Sequence, residues 1–275
     1  MDAEFGPAAL AIVAGELDTL ADLLAADPGL ATRRSSVGHP TLLQLIACEE
    51  GHVAEPVGAA RLLVEAGAEV DGPLVAAAGC DARATLEFLL DAGASAEPDV
   101  TWTPLDEALY WDNTEMADLL LERGARIRRL RNAAGLGDLD AISRFIVDDG
   151  HDRAELTADA GPLGSPFPET VTAEHAEDPQ AIIDHAFVMA VNSGHQAAAE
   201  YLLKHGAKVN AIPPGYHWRG TALHAACWRG DGPMVEWLLS VGADPSISDG
   251  MDGVGADAIG WARHHGHEHL VALLS

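Results

Sequence analysis

Residues 221–245 read TALHAACWRGDGPMVEWLLSVGADP, and their pattern of small residues, glycines and larger apolar residues indicates the secondary structure. The first half of this stretch is lined by alanine, where the core of an isolated helix would usually carry leucine. The pattern breaks at Gly230, resumes with methionine, valine, tryptophan and leucine, and breaks again at Gly242. Apolar residues at helical spacing between two glycine breaks predict two short helices joined by a tight turn.

The same pattern recurs along the chain. Eight copies of a helix, a tight turn and a second helix follow one another, with a period of about 33 residues where no insertion intervenes. Their first residues are Gly6, Pro40, Gly72, Thr103, Leu130, His185, Thr221 and Asp257. One copy cannot bury both of its apolar faces alone, so neighbouring copies must stack and the two end copies must act as caps.

Three copies carry a more specific motif. The segments TALHAACWRGD, TPLDEALYWDN and GHQAAAEYLLKHGAKVN, which begin at Thr221, Thr103 and Gly194, resemble the ankyrin repeat. The resemblance implies an all-α ankyrin-repeat solenoid of stacked helix–turn–helix units with short β-hairpin fingers, some of them truncated. We expect turns within the copies at Gly15, Gly51, Gly137, Gly194, Gly230 and Gly266. Left-handed caps after the second helices are expected at Gly67, Gly93, Gly124, Gly206 and Gly242.

The repeats predict one continuous solenoid domain with one interruption. Repeats 1–5, including the N-terminal cap, are expected in residues 1–150, and repeats 6–8, including the C-terminal cap, in 183–275. The segment between them, 151–182, is acidic, contains proline and glycine, and has no helical period, so we expect an insertion without a helix–turn–helix. It is either a mobile loop or a lid folded over the concave face.

The composition limits the partners and the compartment. The chain has 275 residues, 16 of them basic and 43 acidic, for a net charge of −27. Such a charge repels nucleic acid and favours cationic partners. No apolar run approaches the roughly 20 residues of a membrane span, and the first residues are acidic where a signal peptide is basic. Three scattered cysteines without CxxC spacing indicate a reduced compartment. We therefore expect a cytoplasmic monomer that binds neither membrane nor nucleic acid.

The sequence lacks a strong catalytic signature. It contains no P-loop, no GxGxxG, no HExxH and no nucleophile elbow, which predicts a non-enzymatic protein without catalytic residues or cofactors. Four histidines crowd the segment HHGHEH, but Gly266 breaks the helical spacing that zinc ligands favour, so no metal site is expected. The resemblance implies a structural role for His224, which lies in the TALH position of its copy.

The resemblance also implies where a partner would bind. In this family the two residues before the turn glycine and the finger tips form the usual recognition surface. The candidates on this surface are Trp102, Tyr110, Trp111, Asn192, His217, Trp218, Arg219, Trp228, Arg229, His264 and His265. Tryptophan, tyrosine and arginine are the side chains that dominate binding hot spots. We expect Trp111, Trp218 and Trp228 to be substantially solvent-accessible, and Trp237, on a second helix, to be mostly buried.

An arginine-rich segment, ERGARIRRLR, stands out in this acidic chain. It either balances neighbouring carboxylates or forms an anion site for a phosphate or an acidic motif of a partner, because arginine forks suit such groups. The residues of this candidate site are Arg126, Arg128 and Arg129.

Three functions are compatible with these features. The first is a protein–protein interaction module that binds an unidentified partner through the concave groove and finger tips. The alternative is a small-ligand-binding protein or enzyme whose aromatic and histidine groove is covered by the 151–182 insertion, with Asp106, His185 or His224 as acid or base. A third, an immunity or toxin-neutralising partner, rests on the acidity alone.

Overall fold

The computed structural model describes residues 5–35, 40–147, 155–167, 170–216, 219–249 and 255–274. The chain divides into two compact units, Met1–Arg126 (unit 1) and Ile127–Ser275 (unit 2). Both units are built from pairs of short antiparallel helices in the order that the repeats predict. Along the described ranges, none of the helices combines the length and the apolar character that a bilayer crossing requires.

Unit 1 contains four helix pairs. A 3-10 turn, Glu50–His52, follows the first helix of the second pair. The helices are α1 Gly6–Ala14, α2 Leu17–Ala26, α3 Leu42–Cys48, α4 Pro56–Glu65, α5 Asp71–Gly79, α6 Arg83–Asp91, α7 Pro104–Tyr110 and α8 Thr114–Glu122.

Unit 2 contains four further pairs and the insertion. The paired helices are α9 Leu130–Gly135, α10 Leu139–Phe145, α12 Pro179–Asn192, α13 Gln196–Lys204, α14 Ala222–Arg229, α15 Gly232–Ser240, α16 Ala258–His264 and α17 Glu268–Leu274. The insertion adds the strands β1 Ile146–Val147 and β2 Glu155–Leu156, a 3-10 turn Ala158–Ala160 and the short helix α11 Ala173–Ala176.

The alanines of the first helices allow them to pack closely. In unit 1, α5 lies between α3 and α7, and in unit 2, α14 lies between α12 and α16. Ala77 and Ala78 on α5, and Ala225 and Ala226 on α14, are fully buried at these contacts. Larger side chains on the second helices, such as Leu238, complete the core. This division of residue size is what makes each copy dependent on its neighbours.

Most of the predicted turns are confirmed, with one exception. The backbone is left-handed at five of the six turn glycines and at all five glycines after the second helices. At Gly230 the left-handed φ of 72° comes with a close approach, since a Cβ there would lie 2.7 Å from the His267 ring. Gly51 instead lies inside a 3-10 turn, because extra residues separate the two helices of its copy. In the next two copies Asp81 and Asp112 take the left-handed position.

The described part of the insertion is packed, and we call residues 155–167 and 170–178 the strap. Arg131 Nη1 donates to Pro162 O at 2.9 Å, and Ser165 Oγ donates to Gly215 O at 2.6 Å. Leu163 of the strap is buried. The absence of a helical period in this segment therefore did not reveal these packing contacts. The helix of the sixth copy also begins earlier than expected, at Pro179, where the Asp178 side chain caps it.

The fingers take the form of turns. In their described parts, the segments that connect one helix pair to the next form bends and turns without an assigned strand. The strand pair β1–β2, with Ile146 opposite Leu156, lies instead at the start of the insertion.

Candidate partner-binding surface

The most ordered part of the predicted surface lies in unit 1 around Glu107. Trp102 Nε1 donates to Glu107 Oε2 at 2.5 Å, and Trp111 Nε1 donates to Glu107 Oε1 at 2.9 Å. Glu107 lies on α7, and Trp111 lies one turn later, directly after the last residue of this helix. Trp102 directly precedes Thr103, the residue that caps the start of α7. Both indoles are half-buried. We call Trp102, Glu107, Tyr110 and Trp111 the Glu107 cluster.

Tyr110 supports this cluster from beneath. Its ring makes edge contacts with both indoles, at centroid distances of 5.8 Å to Trp102 and 5.1 Å to Trp111. It is only 3% exposed. The expectation that Tyr110 offers its ring to a partner is corrected: the two tryptophans cover it, and its contribution to binding would be to hold them.

A glycine on the neighbouring helix makes room for the cluster. A Cβ at Gly79 would lie 2.8 Å from Glu107 Oε1 and 2.9 Å from Trp111 Cδ1. Burial raises the pKa of the Glu107 carboxyl, and the two indole hydrogen bonds act in the opposite direction. Sequence reasoning did not assign Glu107 to this surface. The available signal was the spacing of four residues from Glu107 to Trp111, which places both on one helix face.

A second group of candidate residues lies in unit 2. The rings of Trp228 and His265 meet edge to face at 6.2 Å, and His264 lies 5.0 Å from His265. Trp228 is half-buried, and both histidines are exposed. Partial burial lowers the pKa of His265, and the nearby His264 and His267 lower it further. We call Trp228, Arg229, His264 and His265 the Trp228 cluster.

Arg229 is held in place by the preceding repeat. Its Nη1 donates to Asn192 O at 2.8 Å, and the guanidinium stays half-buried. Asn192 is itself only 1% exposed. The expectation that the Asn192 side chain faces a partner is corrected, because the end of α12 is packed beneath Arg229.

The remaining residues that were predicted to be exposed or buried have different outcomes. Arg219 is exposed, with a left-handed φ of 42°. His217 and Trp218 lie outside the described residues. Trp237, expected to be mostly buried, is half-buried like Trp111 and Trp228, with its ring 6.5 Å from that of Phe187, so the expected contrast in exposure between these tryptophans does not appear.

The arginine-rich segment is divided between the two units. Arg126 ends unit 1, and Arg128 and Arg129 lie at the start of unit 2. Arg126 and Arg128 are exposed. Two neighbouring arginines have structural contacts: Arg123 pairs with Asp91 at 2.9 Å, and Arg131 is buried against the strap. An anion site at Arg126, Arg128 and Arg129 stays a prediction.

Two of the three residues considered for acid–base chemistry, Asp106 and His224, cap helices. Asp106 accepts from the N–H and the hydroxyl of Thr103, both at 2.8 Å, and so caps α7. His224 does the same for α14, with Nδ1 accepting from Thr221 N at 3.1 Å. The structural role expected of His224 is therefore confirmed. Burial lowers the pKa of His224.

Two cavities border the strap. One, lined by Arg131, Leu163, Ile182 and His185 among others, has a volume of about 10 Å³, roughly that of a single water. The other is a cleft of about 380 Å³ lined by Thr170, His175, Ile212, Pro213, Pro214, Tyr216 and Arg219. Neither is lined by Trp111 or Trp228, which the small-ligand alternative places in a closed pocket.

The histidines of the HHGHEH segment make polar contacts with the neighbouring repeat. His267 Nε2 lies 3.0 Å from Trp228 O, and His269 Nε2 lies 3.2 Å from Gly230 O. In the part of the chain that the structure describes, no three histidine, cysteine or acidic side chains converge as metal ligands would.

Comparison with known proteins agrees with the repeats. Residues 185–239 match the model for ankyrin repeats in many copies, and residues 102–133 match the ankyrin repeat model. The ankyrin repeat protein nuc-2 of Neurospora crassa is 27% identical over 201 residues, which cover 68% of this chain and 16% of that protein. The human ASB11 ankyrin repeat domain is 22% identical, with a TM-score of 0.40 over 98% of this chain and 97% of that chain. The chain therefore contains ankyrin repeats, matched at residues 102–133 and 185–239, within an all-α arrangement of helix pairs.

Proposed function

We propose that this chain is a protein–protein interaction module that binds a partner protein through the groove lined by the ends of its first helices and through its finger tips. Ankyrin repeats are generally modules of this kind. The proposal includes no catalytic step and no cofactor, and it treats the chain as a monomer that acts in the cytoplasm.

The observation that carries this proposal is the Glu107 cluster. Two half-buried tryptophans are held by a single carboxylate and supported by a buried tyrosine ring. Aromatic side chains fixed in one orientation before binding lose little conformational entropy when a partner arrives. Tryptophan is also one of the residue types that are enriched at binding hot spots. The hydrogen bonds to Glu107 therefore favour a preorganised recognition surface.

The Trp228 cluster supports the same function in unit 2. There, an indole lies beside two exposed histidines and an arginine that is fixed to the Asn192 carbonyl. The chemistry of this cluster differs from that of the Glu107 cluster, because its polar groups are a guanidinium and two imidazoles rather than a carboxylate. The two clusters would therefore contact different features of a partner.

The net charge of −27 indicates the class of partner. An acidic field accelerates association with a basic protein surface and repels nucleic acid. We therefore propose a basic protein as the partner, and weaker association at high salt is expected for it.

Affinity capture with matched variants tests the proposal. The full chain is immobilised as the wild type, Trp111→Ala and Trp228→Ala, and proteins retained from a lysate of the source cells are quantified. A true partner should be enriched by the wild type and lost with at least one tryptophan variant. With the purified partner, that variant should weaken the Kd by about 30-fold, or about 2 kcal/mol.

Leu139→Ala and Val241→Ala serve as controls. Leu139 is 41% exposed at the start of α10, and Val241 is 40% exposed directly after α15. Both residues are distant from the two clusters in sequence. Their variants should retain the partner as the wild type does, and circular dichroism should show equal helix content in all proteins. Equal retention by the wild type and both tryptophan variants would refute the proposed surface.

A further inference from the structure

A cleft lies between the strap and the segment that connects α13 to α14. Its volume is about 380 Å³, which is at the lower end of the range for small-molecule pockets. Among the described residues, the strap contributes Thr170 and His175, and the connecting segment contributes five residues that include Ile212 and Arg219. No member of the Glu107 cluster or the Trp228 cluster is among these lining residues, so the cleft is a separate site.

Three consecutive residues of the connecting segment give the cleft an apolar surface. Pro213 is buried and Pro214 is half-buried. Ile212 directly before them is 43% exposed, although large aliphatic side chains are usually buried. A concave surface that combines two proline rings with an exposed aliphatic side chain is suited to the apolar part of a ligand.

Two hydrogen-bond donors also line the cleft. Arg219, one of the predicted partner-binding residues, and His175 on α11 are both exposed. Within the described ranges, neither side chain forms an ion pair with a carboxylate. A guanidinium carries a permanent charge and a fixed fork of N–H donors, and an imidazole carries at least one N–H. The cleft thus offers an anion a positive charge that no described acidic side chain neutralises.

Hydrogen bonds hold the two walls of the cleft in place. Ser165 Oγ of the strap donates to Gly215 O of the connecting segment at 2.6 Å. Tyr216 lines the cleft but is only 1% exposed. Its hydroxyl donates to His185 O at 3.3 Å, and its ring stacks on the His185 imidazole at a centroid distance of 4.5 Å. A ligand would not have to order these segments, which lowers the entropic cost of binding.

The backbone at Arg219 is strained. Its φ of 42° lies in the left-handed region, which residues other than glycine, asparagine and aspartate rarely adopt. Such outliers cluster at ligand-binding sites, where the position of the side chain outweighs the local cost. Glycine would relieve the strain at this position, so the presence of an arginine supports a functional role for the guanidinium.

We propose that this cleft binds a small organic carboxylate. The Arg219 guanidinium donates two parallel hydrogen bonds to the carboxylate oxygens, the arrangement that its planar fork favours. His175 supplies a further donor, and the apolar part of the ligand packs against Ile212 and the two prolines. A carboxylate fits better than a phosphate group, because the described lining combines a single guanidinium with an apolar surface. This site adds to the proposed interaction function and does not depend on it.

Calorimetric titration of the full chain with phenylacetate tests the proposal. Phenylacetate joins a carboxylate to a flat apolar body, and phenylacetamide has nearly the same shape without the charge. The wild type should bind phenylacetate saturably in the millimolar range or more tightly, and phenylacetamide at least about tenfold more weakly. Equal affinity for the acid and the amide, or no saturable binding of the acid, would overturn the proposal.

The variant Arg219→Gln tests whether the bound acid lies in the cleft. It removes the charge and the fork while it keeps a long polar side chain, and it should weaken phenylacetate binding by about tenfold or more. Arg263→Gln is the matched control, because Arg263 is an exposed arginine of α16 that is not among the described lining residues. It should bind phenylacetate as the wild type does. Unchanged affinity in Arg219→Gln would place the bound acid elsewhere and contradict the proposal.

The variant Arg219→Gly separates ligand binding from folding. Glycine adopts a left-handed φ readily, so this variant should fold, with a thermal unfolding midpoint no lower than that of Arg219→Gln. It should nevertheless lose phenylacetate binding to the same extent as Arg219→Gln. Binding of phenylacetate by folded Arg219→Gly with the wild-type affinity would show that the guanidinium does not hold the carboxylate.

Discussion

Trp111 donates its indole N–H to Oε1 of Glu107, one helical turn earlier, at a distance of 2.9 Å. This hydrogen bond joins a residue that sequence analysis assigned to the binding surface with one that it assigned to no surface. Trp102 donates to the second oxygen of the same carboxylate. Glu107 therefore sets the orientation of both tryptophans.

The first prediction concerns the Glu107 carboxylate. In Glu107→Gln, an amide replaces one of the two acceptor oxygens, so one indole N–H loses its partner. We expect a loss of about 1 kcal/mol in unfolding free energy, together with increased acrylamide quenching of tryptophan fluorescence. Glu122→Gln, the same change at an exposed position of α8, is the control and should alter neither quantity. Identical quenching in Glu107→Gln and the wild type would show that the carboxylate does not fix the indoles.

The second prediction concerns the space that Gly79 leaves. Alanine is normally favoured over glycine within a helix by roughly 0.5–1 kcal/mol. At position 79 its Cβ would lie within 2.9 Å of both Glu107 Cγ and Trp111 Cδ1, so these side chains must move. Gly79→Ala should therefore destabilise the protein or leave it unchanged, and shift its tryptophan emission. In the control, Gly232→Ala, the nearest contact would be an ordinary 3.8 Å from Leu270, and the usual gain should appear. A gain at both positions would contradict the close packing.

The repeat pattern was sufficient to predict most of the fold. Helix pairs, left-handed glycines and small residues on the first helices follow from local spacing and from backbone sterics, which the sequence displays directly. Gly51 does not adopt the predicted left-handed conformation, because its copy contains additional residues between the two helices and the turn does not need a left-handed glycine. The packing of the strap depends on single long-range hydrogen bonds, such as that from Ser165 to Gly215, which no local period reveals.

The site was less predictable for a similar reason. Position in the repeat places Tyr110 and Asn192 at the ends of first helices, but their burial depends on the larger side chains that cover them. Trp111 covers Tyr110, and Arg229 donates a hydrogen bond to the carbonyl of Asn192. Neither contact can be read from the sequence, because both depend on how the helices pack.

A third prediction tests the stacking of first helices. Ala226 is fully buried on α14, between α12 and α16. Ala226→Leu should overpack this contact and cost about 1–3 kcal/mol of unfolding free energy. Ala173→Leu makes the same change at an exposed position of the strap and should cost little. Equal denaturant midpoints for the two variants would rule out close packing at Ala226.

A fourth prediction tests the attachment of the strap. The Leu163 N–H donates to Ala176 O at 2.9 Å within it, and the Ser165 hydroxyl ties it to Gly215 O. We expect the Leu163 amide to be protected from hydrogen exchange in the wild type. Ser165→Ala removes the tie and should speed exchange at Leu163 without changing exchange in α5 of unit 1. Rapid exchange at Leu163 in the wild type would show that the strap is not held.

The last prediction concerns pH and His224. Its Nδ1 accepts from the backbone N–H of Thr221, and its Nε2 lies 3.3 Å from Ala256 O, so the neutral ring fits with its proton on Nε2. Protonation of Nδ1 would break the bond to Thr221. Burial lowers the pKa of His224 below its ordinary 6.5. A depressed histidine pKa contributes stability that is present above 6.5 and is lost as the pH falls through the folded-state value.

The variant His224→Asn isolates this effect. Asn132 already fills the same capping position in α9, where its side-chain oxygen accepts from Arg129 N at 3.1 Å, so asparagine is a non-titrating substitute that the fold accommodates. At about pH 8 the variant should be less stable by roughly 0.5–1.5 kcal/mol, because it loses the edge contact of the imidazole with Trp261. The difference in urea midpoint between the two proteins should then shrink as the pH is lowered to about 5. Protonation of His224 favours the unfolded state of the wild type, and the variant has no titrating group at this position. The shifted pKa values of His195 and His265 affect both proteins alike and cancel in the comparison. A difference that stays constant over this range would mean that His224 does not titrate with unfolding.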